Sequence, residues 1–176
     1  INGRGLGNPF YSIIRIKHIG KDMGIKDMTA AFFLNIKLIS IKKGVFDGLK
    51  DVTSFYATFY GCESITEIPE GLFDECTEVT NFGGTFAWCE ELTSIPEGLF
   101  DYNTKVTNFE GTFMECTDLT GESPYTIINI DGEDKKVHLY ERSLYPDYFA
   151  APTGRLCYWG DWSFSDVDAI TAAGWN

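Results

Sequence analysis

The sequence lacks long apolar runs, and most of its length lacks basic residues. No stretch of 18 apolar residues occurs among its 176 residues, which excludes a transmembrane helix in this segment. Residues 51–176 carry five Lys or Arg against 23 Asp or Glu, whereas residues 1–50 carry nine against three. A chain with a formal net charge of −12 repels phosphate backbones, so nucleic acid is a poor partner. The acidic part either solvates the surface or forms a patch for a cationic partner or for calcium.

Motifs for catalysis are also missing. The chain has two histidines, His18 and His138, and neither belongs to a nucleophile motif. No serine lies in a Gly-x-Ser-x-Gly elbow. Gly3, Gly5 and Gly7 follow no predicted strand, so they do not form a phosphate-binding loop. The sequence therefore predicts a protein that is not an enzyme and has no cofactor.

A repeat of 27 residues occupies the centre of the chain. Residues 68–74 read Ile-Pro-Glu-Gly-Leu-Phe-Asp, and the same seven residues recur at 95–101. The same offset relates Val52, Val79 and Val106; Phe55, Phe82 and Phe109; Phe59, Phe86 and Phe113; and Cys62, Cys89 and Cys116. We divide the single domain into a degenerate N-terminal repeat or cap (1–40), three repeats (41–121), and a hairpin insertion with a terminal partial repeat or cap (122–176). A fixed period of this length is typical of repeat proteins, whose neighbouring units bury one another's apolar faces.

Each repeat is predicted to contain one helix and one short strand. Apolar residues in 79–89 follow one another at spacings of 3, 4 and 3, as on one face of a helix. Residues 92–95 are β-branched or apolar for the most part, and Pro96 would end such a strand. The predicted fold class is α/β: a right-handed leucine-rich-repeat solenoid with a short parallel sheet on one face, helices on the other, and a C-terminal β-hairpin insertion and cap. Equivalent residues of three adjacent strands are expected to stack: Ile41, Ile68 and Ile95.

The repeat block resembles a known family. Its pattern Val-Thr-x-Phe-x-x-Thr-Phe-x-x-Cys-x-x-Leu-Thr-x-Ile-Pro is similar to the BspA-like leucine-rich repeats of bacterial surface proteins, over about residues 8–121. The resemblance implies a bacterial protein that is secreted or displayed at the cell surface, and it is compatible with a lipoprotein anchor in a full-length chain. It also implies adhesion or protein binding, with a host matrix or surface protein as the expected partner.

Two other functions stay open at this point. One is a structural spacer module within a larger surface protein. The other is a carbohydrate-binding module, in which a glycan would stack on Trp159 or Trp162 beside Asp161.

After Gly121 the period breaks. Residues 125–130 and 136–140 flank the segment Asp-Gly-Glu-Asp at 131–134, a composition typical of a β-hairpin. Its carboxylates are oxygen ligands of the kind calcium takes, so calcium at this turn stays an alternative, although the segment lacks the spacing of a complete calcium loop. The apolar face of a terminal repeat has no neighbouring repeat to bury it. Three tryptophans are predicted to bury this face at the C-terminal end: Trp159, Trp162 and Trp175.

The repeated cysteine position is predicted to be a buried structural site. Cys62, Cys89 and Cys116 share it with Asn35 and Asn8 of the preceding units. A metal site needs three or four ligands at one point, and one cysteine in each repeat does not supply them. The total of five cysteines is odd and does not describe a disulfide framework. Cys76 has no evident counterpart in the other repeats.

The candidate binding site is the inner surface of the predicted sheet. Its outward residues are expected to be Ser40, Thr66, Glu67, Thr93 and Ser94. All but Glu67 are small and polar, so the surface is not a hydrophobic hot spot. It would bind a protein with modest affinity, through many small contacts.

Overall fold

The computed structural model describes residues 15–16, 19, 24–156 and 164–175. The described elements are β1 (Arg15–Ile16), β2 (Ser40–Ile41), β3 (Tyr125–Ile130), β4 (Glu133–His138), a 3₁₀ helix (Leu139–Leu144) and α1 (Val167–Ala172). β1 pairs with β2 in parallel, and β3 pairs with β4 in an antiparallel hairpin. Turns and loops make up most of the rest.

The predicted α/β leucine-rich-repeat solenoid is wrong. Within the described ranges the only α-helix is the six-residue α1, and the strands form two separate two-stranded sheets. Residues 79–89 are turns rather than a helix. Ile41 belongs to β2, but Ile68 and Ile95 lie outside any strand. The repeats therefore have neither the helical layer nor the parallel sheet that the fold class requires.

Backbone hydrogen bonds explain why residues 79–89 do not form a helix. Phe82, Gly84, Phe86 and Trp88 each donate their N–H group to a carbonyl group 26 residues further along the chain, at 2.7–2.9 Å. Between them, the N–H groups of Thr85 and Ala87 each donate to the carbonyl group three residues earlier and so close tight turns. Every second N–H group therefore leaves the segment, and the i→i−4 bonds of an α-helix are not made.

The turns require a left-handed residue at every fourth position. Gly84 and Trp88 both have φ 61°, and the preceding repeat has Ala57 at φ 52° and Gly61 at φ 68° in the equivalent places. A right-handed helix contains no such residues. Turns of about four residues still direct side chains spaced by three and four residues to the same side. The apolar pattern consequently fits both structures.

Successive 27-residue units lie against one another with equivalent residues in contact. Isolated parallel bridges connect Asp27, Ser54, Asn81, Asn108 and Thr153 in that order. Equivalent phenylalanine rings stack at centroid distances of 5.3–6.0 Å, for example Phe82 on Phe109. These rings form the centre of the main hydrophobic core.

The hairpin insertion is held to the repeats by a buried arginine. Arg142, 1% exposed, donates from Nη1 to the Asn103 carbonyl at 3.0 Å and from Nη2 to the Phe100 carbonyl at 2.8 Å. Nη2 also donates to Oγ1 of Thr126 in β3 at 2.9 Å, and the guanidinium lies 4.5 Å from the Phe149 ring centroid. Burial lowers the pKa of Arg142 to about 10. One side chain thus joins the last full repeat, the hairpin and the segment after it.

The turn of the β3–β4 hairpin lies at Asp131 and Gly132, as predicted from the sequence. Both residues have positive φ, 54° and 89°, as a tight type I′ turn requires. Trp175, 9% exposed, accepts a hydrogen bond from the Leu156 N–H group at 3.2 Å and belongs to the core at the C-terminal end. Trp159 and Trp162 lie outside the described residues.

Candidate functional site

The structure brings part of the predicted binding site together. Thr93 donates from both its N–H group and its Oγ1 to the Thr66 carbonyl, each at 3.2 Å. Thr120 donates in the same way to the Thr93 carbonyl, at 3.1 and 3.2 Å. We call Thr66, Thr93 and Thr120 the first threonine row. Glu67 and Ser94 are its exposed neighbours.

Ser40 is the exception among the predicted site residues. It is half-buried in β2, where it pairs with Arg15. Among the described residues, no hydrogen bond connects Ser40 with the first threonine row. The site was predicted to lie on a sheet, whereas the row lies in loops outside any strand. The structure therefore has the predicted exposed surface of hydroxyl groups, but this surface does not lie on a β-sheet.

A second threonine row was missed from the sequence. Thr53, Thr80, Thr107 and Thr153 each donate from Oγ1 to a carbonyl of the preceding unit, at 3.2–3.3 Å. The Val-Thr pair at 52–53, 79–80 and 106–107 was the available signal, but it was assigned to a helix. Thr93, Thr120 and the members of the second row use the hydroxyl hydrogen within the protein, so their oxygen lone pairs remain to accept hydrogen bonds from a partner.

Carboxylates surround the first threonine row. Between Lys50 and Lys105 the chain has eleven Asp or Glu and no Lys, Arg or His. We define the acidic threonine face as the first threonine row with these exposed neighbours: Glu63, Glu67, Glu90, Glu91, Ser94 and Asp118. Backbone hydrogen bonds from Glu91 to Glu63, and from Asp118 to Glu90, hold acidic positions of successive repeats side by side. Like charges this close repel, so a cationic partner would relieve the repulsion.

A surface cavity of about 190 Å³ adjoins this face. It is lined by Ile95, Pro96, Glu97, Glu122, Ser123, Pro124 and Tyr125. Lys136 of β4 donates from Nζ to Oε2 of Glu122 at 2.6 Å and lies 4.0 Å from the Tyr125 ring centroid. The hydrogen bond to Glu122 raises the pKa of Lys136. Two of the cavity's own residues therefore already bind an ammonium group.

A buried polar cluster next to the cavity contains serine, histidine and aspartate. Ser123 Oγ donates to Oδ2 of Asp166 at 2.5 Å and lies 3.0 Å from Nδ1 of His138. Nε2 of His138 lies 3.2 Å from Oε1 of Glu122. In a nucleophilic triad the serine lies at Nε2 and the carboxylate at Nδ1. Here Nε2 faces Glu122, whereas Ser123 and Asp166 both lie at Nδ1. Ser123 is also completely buried, so this arrangement holds the hairpin in place and presents no nucleophile.

The repeated cysteine position is buried, as predicted. Cys62, Cys89 and Cys116 each donate from Sγ to a carbonyl group 30 residues earlier, at 3.2, 3.3 and 3.0 Å. Burial raises the pKa of Cys62 to about 12 and that of Cys89 well above its usual value. Cys62, Cys76 and Cys89 are free thiols. The position therefore stabilises contacts between repeats and is unsuited to nucleophilic chemistry.

Cys76 has a counterpart after all. Its Sγ lies 3.9 Å from the carbonyl oxygen of Phe46, 30 residues earlier. Asn103, one repeat further on, donates from Nδ2 to the Phe73 carbonyl at 3.2 Å, again 30 residues earlier. Burial raises the pKa of Cys76 to about 12. A thiol and an amide thus fill the same position because both can donate to that carbonyl group.

Within the part of the chain that the structure describes, no group of three or more His, Cys, Asp or Glu is placed to hold a metal ion. Nor is any described helix long and apolar enough to cross a membrane. The chain matches no known protein-family model and no curated protein. The other chemistry-bearing residues considered from the sequence, His18, Cys157, Trp159 and Trp162, lie outside the described residues.

Proposed function

We propose that the protein is a non-catalytic binding module whose acidic threonine face binds a basic, extended segment of a protein partner. One observation carries the proposal: exposed carboxylates flank Thr66 and Thr93, the first two members of the threonine row, in a 54-residue stretch, residues 51–104, that has no basic side chain. Charge complementarity of this kind speeds association and selects partners of opposite charge.

The regular spacing of the face favours an extended target. Thr66, Thr93 and Thr120 occupy equivalent positions in successive units and are joined by direct hydrogen bonds. A segment that crosses the units therefore meets similar acceptor oxygens at each step. The contacts are polar and exposed, so we expect a dissociation constant on the order of micromolar that rises with salt concentration.

The biological setting is part of the same proposal. The resemblance of the repeat block to BspA-like repeats supports a bacterial protein at the cell surface or secreted from the cell, with a role in adhesion. A host matrix or surface protein with basic segments is the corresponding partner. The resemblance supports this setting through the repeat sequence alone, because the fold expected with it is not present.

Fluorescence anisotropy with a labelled peptide of alternating Arg and Thr tests the proposal. The matched control peptide has citrulline in place of each Arg, which keeps the shape and removes the charge. We expect the Arg peptide to bind and the citrulline peptide to bind much more weakly. Added salt should lower the affinity for the Arg peptide. Equal affinity for both peptides, or no binding of the Arg peptide at low salt, would show that the proposal is wrong.

A further inference from the structure

We infer that the cavity between residues 95–97 and 122–125 is an anchor site for one cationic side chain, lysine or arginine, of the partner. This inference rests on the proposed function and names where the partner's charge is bound. The cavity is continuous with the acidic threonine face. Its first residue, Ile95, directly follows Ser94, and Glu122 comes two residues after Thr120.

The cavity walls match both parts of such a side chain. Ile95, Pro96 and Pro124 supply apolar surface, which suits the methylene groups of lysine or arginine. Glu97 and Glu122 supply carboxylates, and Tyr125 supplies an aromatic ring, whose face attracts cations. The combination of an apolar wall, an aromatic ring and carboxylates is specific for a long cationic side chain.

Lys136 gives independent evidence for the class of ligand. Its ammonium group binds Glu122 at 2.6 Å and lies 4.0 Å from the ring centroid of Tyr125, so these groups already hold a lysine ammonium within the chain. Glu97 is exposed, and its charge also acts on Lys136, raising the pKa of that lysine less than Glu122 does. Glu97 is therefore the carboxylate more open to a second cation, while Glu122 is shared by Lys136 and His138.

This arrangement makes opposite predictions for two neutralising substitutions. Glu97→Gln removes the open carboxylate, so it should weaken binding of the Arg peptide about two- to fivefold, the range for an exposed ion pair. Lys136→Gln frees Oε2 of Glu122 for the partner, while Oε1 keeps its contact with His138, so it should strengthen binding by a similar factor. Glu78→Gln is the matched control. Glu78 is an exposed carboxylate paired with Lys105 outside the acidic threonine face, and its loss should change the affinity less than Glu97→Gln does.

Two measurements complete the test. Circular dichroism and thermal unfolding should show that all three variants fold as the unmodified chain does. In nuclear magnetic resonance spectra, N-acetyl-arginine amide should shift the Tyr125 ring signals, and N-acetyl-citrulline amide should not.

The possible failures are distinguishable. The anchor site is wrong if two results are found together. Glu97→Gln lowers the affinity for the Arg peptide no more than Glu78→Gln does, and Lys136→Gln does not raise that affinity. The proposed function survives that result if substitutions at Glu67 and Ser94 still weaken binding. If the unmodified chain does not bind the Arg peptide at all, the proposed function and the anchor site are both wrong.

Discussion

Phe59 lies face to face with Phe86, the equivalent residue of the next repeat, with ring centroids 5.3 Å apart and planes 9° apart. Both side chains are completely buried. Phe86 in turn stacks on Phe113 at 5.8 Å. Each ring of this column is therefore part of the surface on which the neighbouring repeats pack, and the loss of one ring disturbs two contacts between repeats.

Phe86→Ala should lower the free energy of unfolding by about 3–5 kcal/mol, the range for truncation of a buried phenylalanine. Chemical denaturation followed by circular dichroism measures the change. Tyr102→Ala is the control, because Tyr102 is 59% exposed and such surface changes usually stay within about 0.5 kcal/mol. Similar effects of the two substitutions would contradict the buried position of Phe86.

Gly84→Ala distinguishes the observed turns from the predicted helix by the sign of its effect. In a helix the substitution would stabilise the protein by about 1 kcal/mol. Here Gly84 has φ 61°, which alanine adopts at a cost of about 1–2 kcal/mol. The added Cβ would come no closer than 3.8 Å to Tyr60, so no steric clash contributes. We expect a lower melting temperature, and a higher one would indicate right-handed helical backbone.

These two residues show how much of the fold the sequence could predict. The period of 27 identified Phe86 and its equivalents as core, because identical apolar residues at one offset must fill equivalent positions. The backbone around Gly84 was not predictable from the same pattern. Spacings of three and four residues suit a helix and a run of four-residue turns equally, and the distinguishing N–H bonds go to residues 26 positions away.

The candidate site was predictable only in part, for a related reason. Thr66 and Thr93 were found because they repeat at the period, and their exposure follows from the apolar residues beside them. The contact of Ser123 with Asp166 spans 43 residues and has no periodic signal. The same holds for the cavity, because it forms where the last repeat meets an insertion of unrelated sequence.

The buried thiols should resist alkylation in the folded protein. Cys62, Cys76 and Cys89 have pKa values raised by burial. Their thiolates, the reactive form, are therefore scarce at neutral pH and do not increase appreciably between pH 7 and 9. In a Cys157→Ser background, we expect these three thiols to react with iodoacetamide only after denaturation, as peptide mass mapping would show. Rapid labelling of Cys89 in the native protein would contradict its burial.

Reducing agent should leave the melting temperature unchanged, because Cys62, Cys76 and Cys89 are free and buried. Differential scanning calorimetry with and without a thiol reductant measures this directly. A decrease of several degrees on reduction would reveal a disulfide that contributes to stability.

Arg142→Met should detach the hairpin from the repeats, because it leaves the Phe100 and Asn103 carbonyl groups without the guanidinium donor. The Phe100 carbonyl keeps a hydrogen bond from the Asn103 N–H group, so the cost falls on the groups left without a donor, at about 1–3 kcal/mol for each. Hydrogen exchange should then accelerate in β3 and β4 more than in residues 55–113. Arg142→Lys is the matched control, because it keeps the charge but loses the paired donors, and its effect should be intermediate. Unchanged protection of the hairpin in the Met variant would contradict this anchoring role.

The double substitution Glu67→Arg with Ser94→Arg should weaken or abolish binding of the Arg peptide, because it places two positive charges on the acidic threonine face. Anisotropy titration measures the affinity, after thermal unfolding has shown that the variant is folded. Glu78→Arg with Asp51→Arg supplies a control on exposed acidic positions outside that face. If the first double variant retains full affinity, the partner binds elsewhere, and the hairpin at 125–140 becomes the next surface to test.

The alternating N–H bonds of the turns also restrict how the length of this protein can change. Every second residue of 82–88 donates forward by 26 positions. Before residue 121 the threonine rows donate backward by 27 positions. Removal or duplication of a whole 27-residue unit leaves every donor opposite an acceptor. A single inserted residue within a unit shifts all later donors onto the wrong groups. Natural length variants of the repeat region should therefore differ by whole units, and smaller insertions should be confined to the segment after Gly121, where the period has already ended.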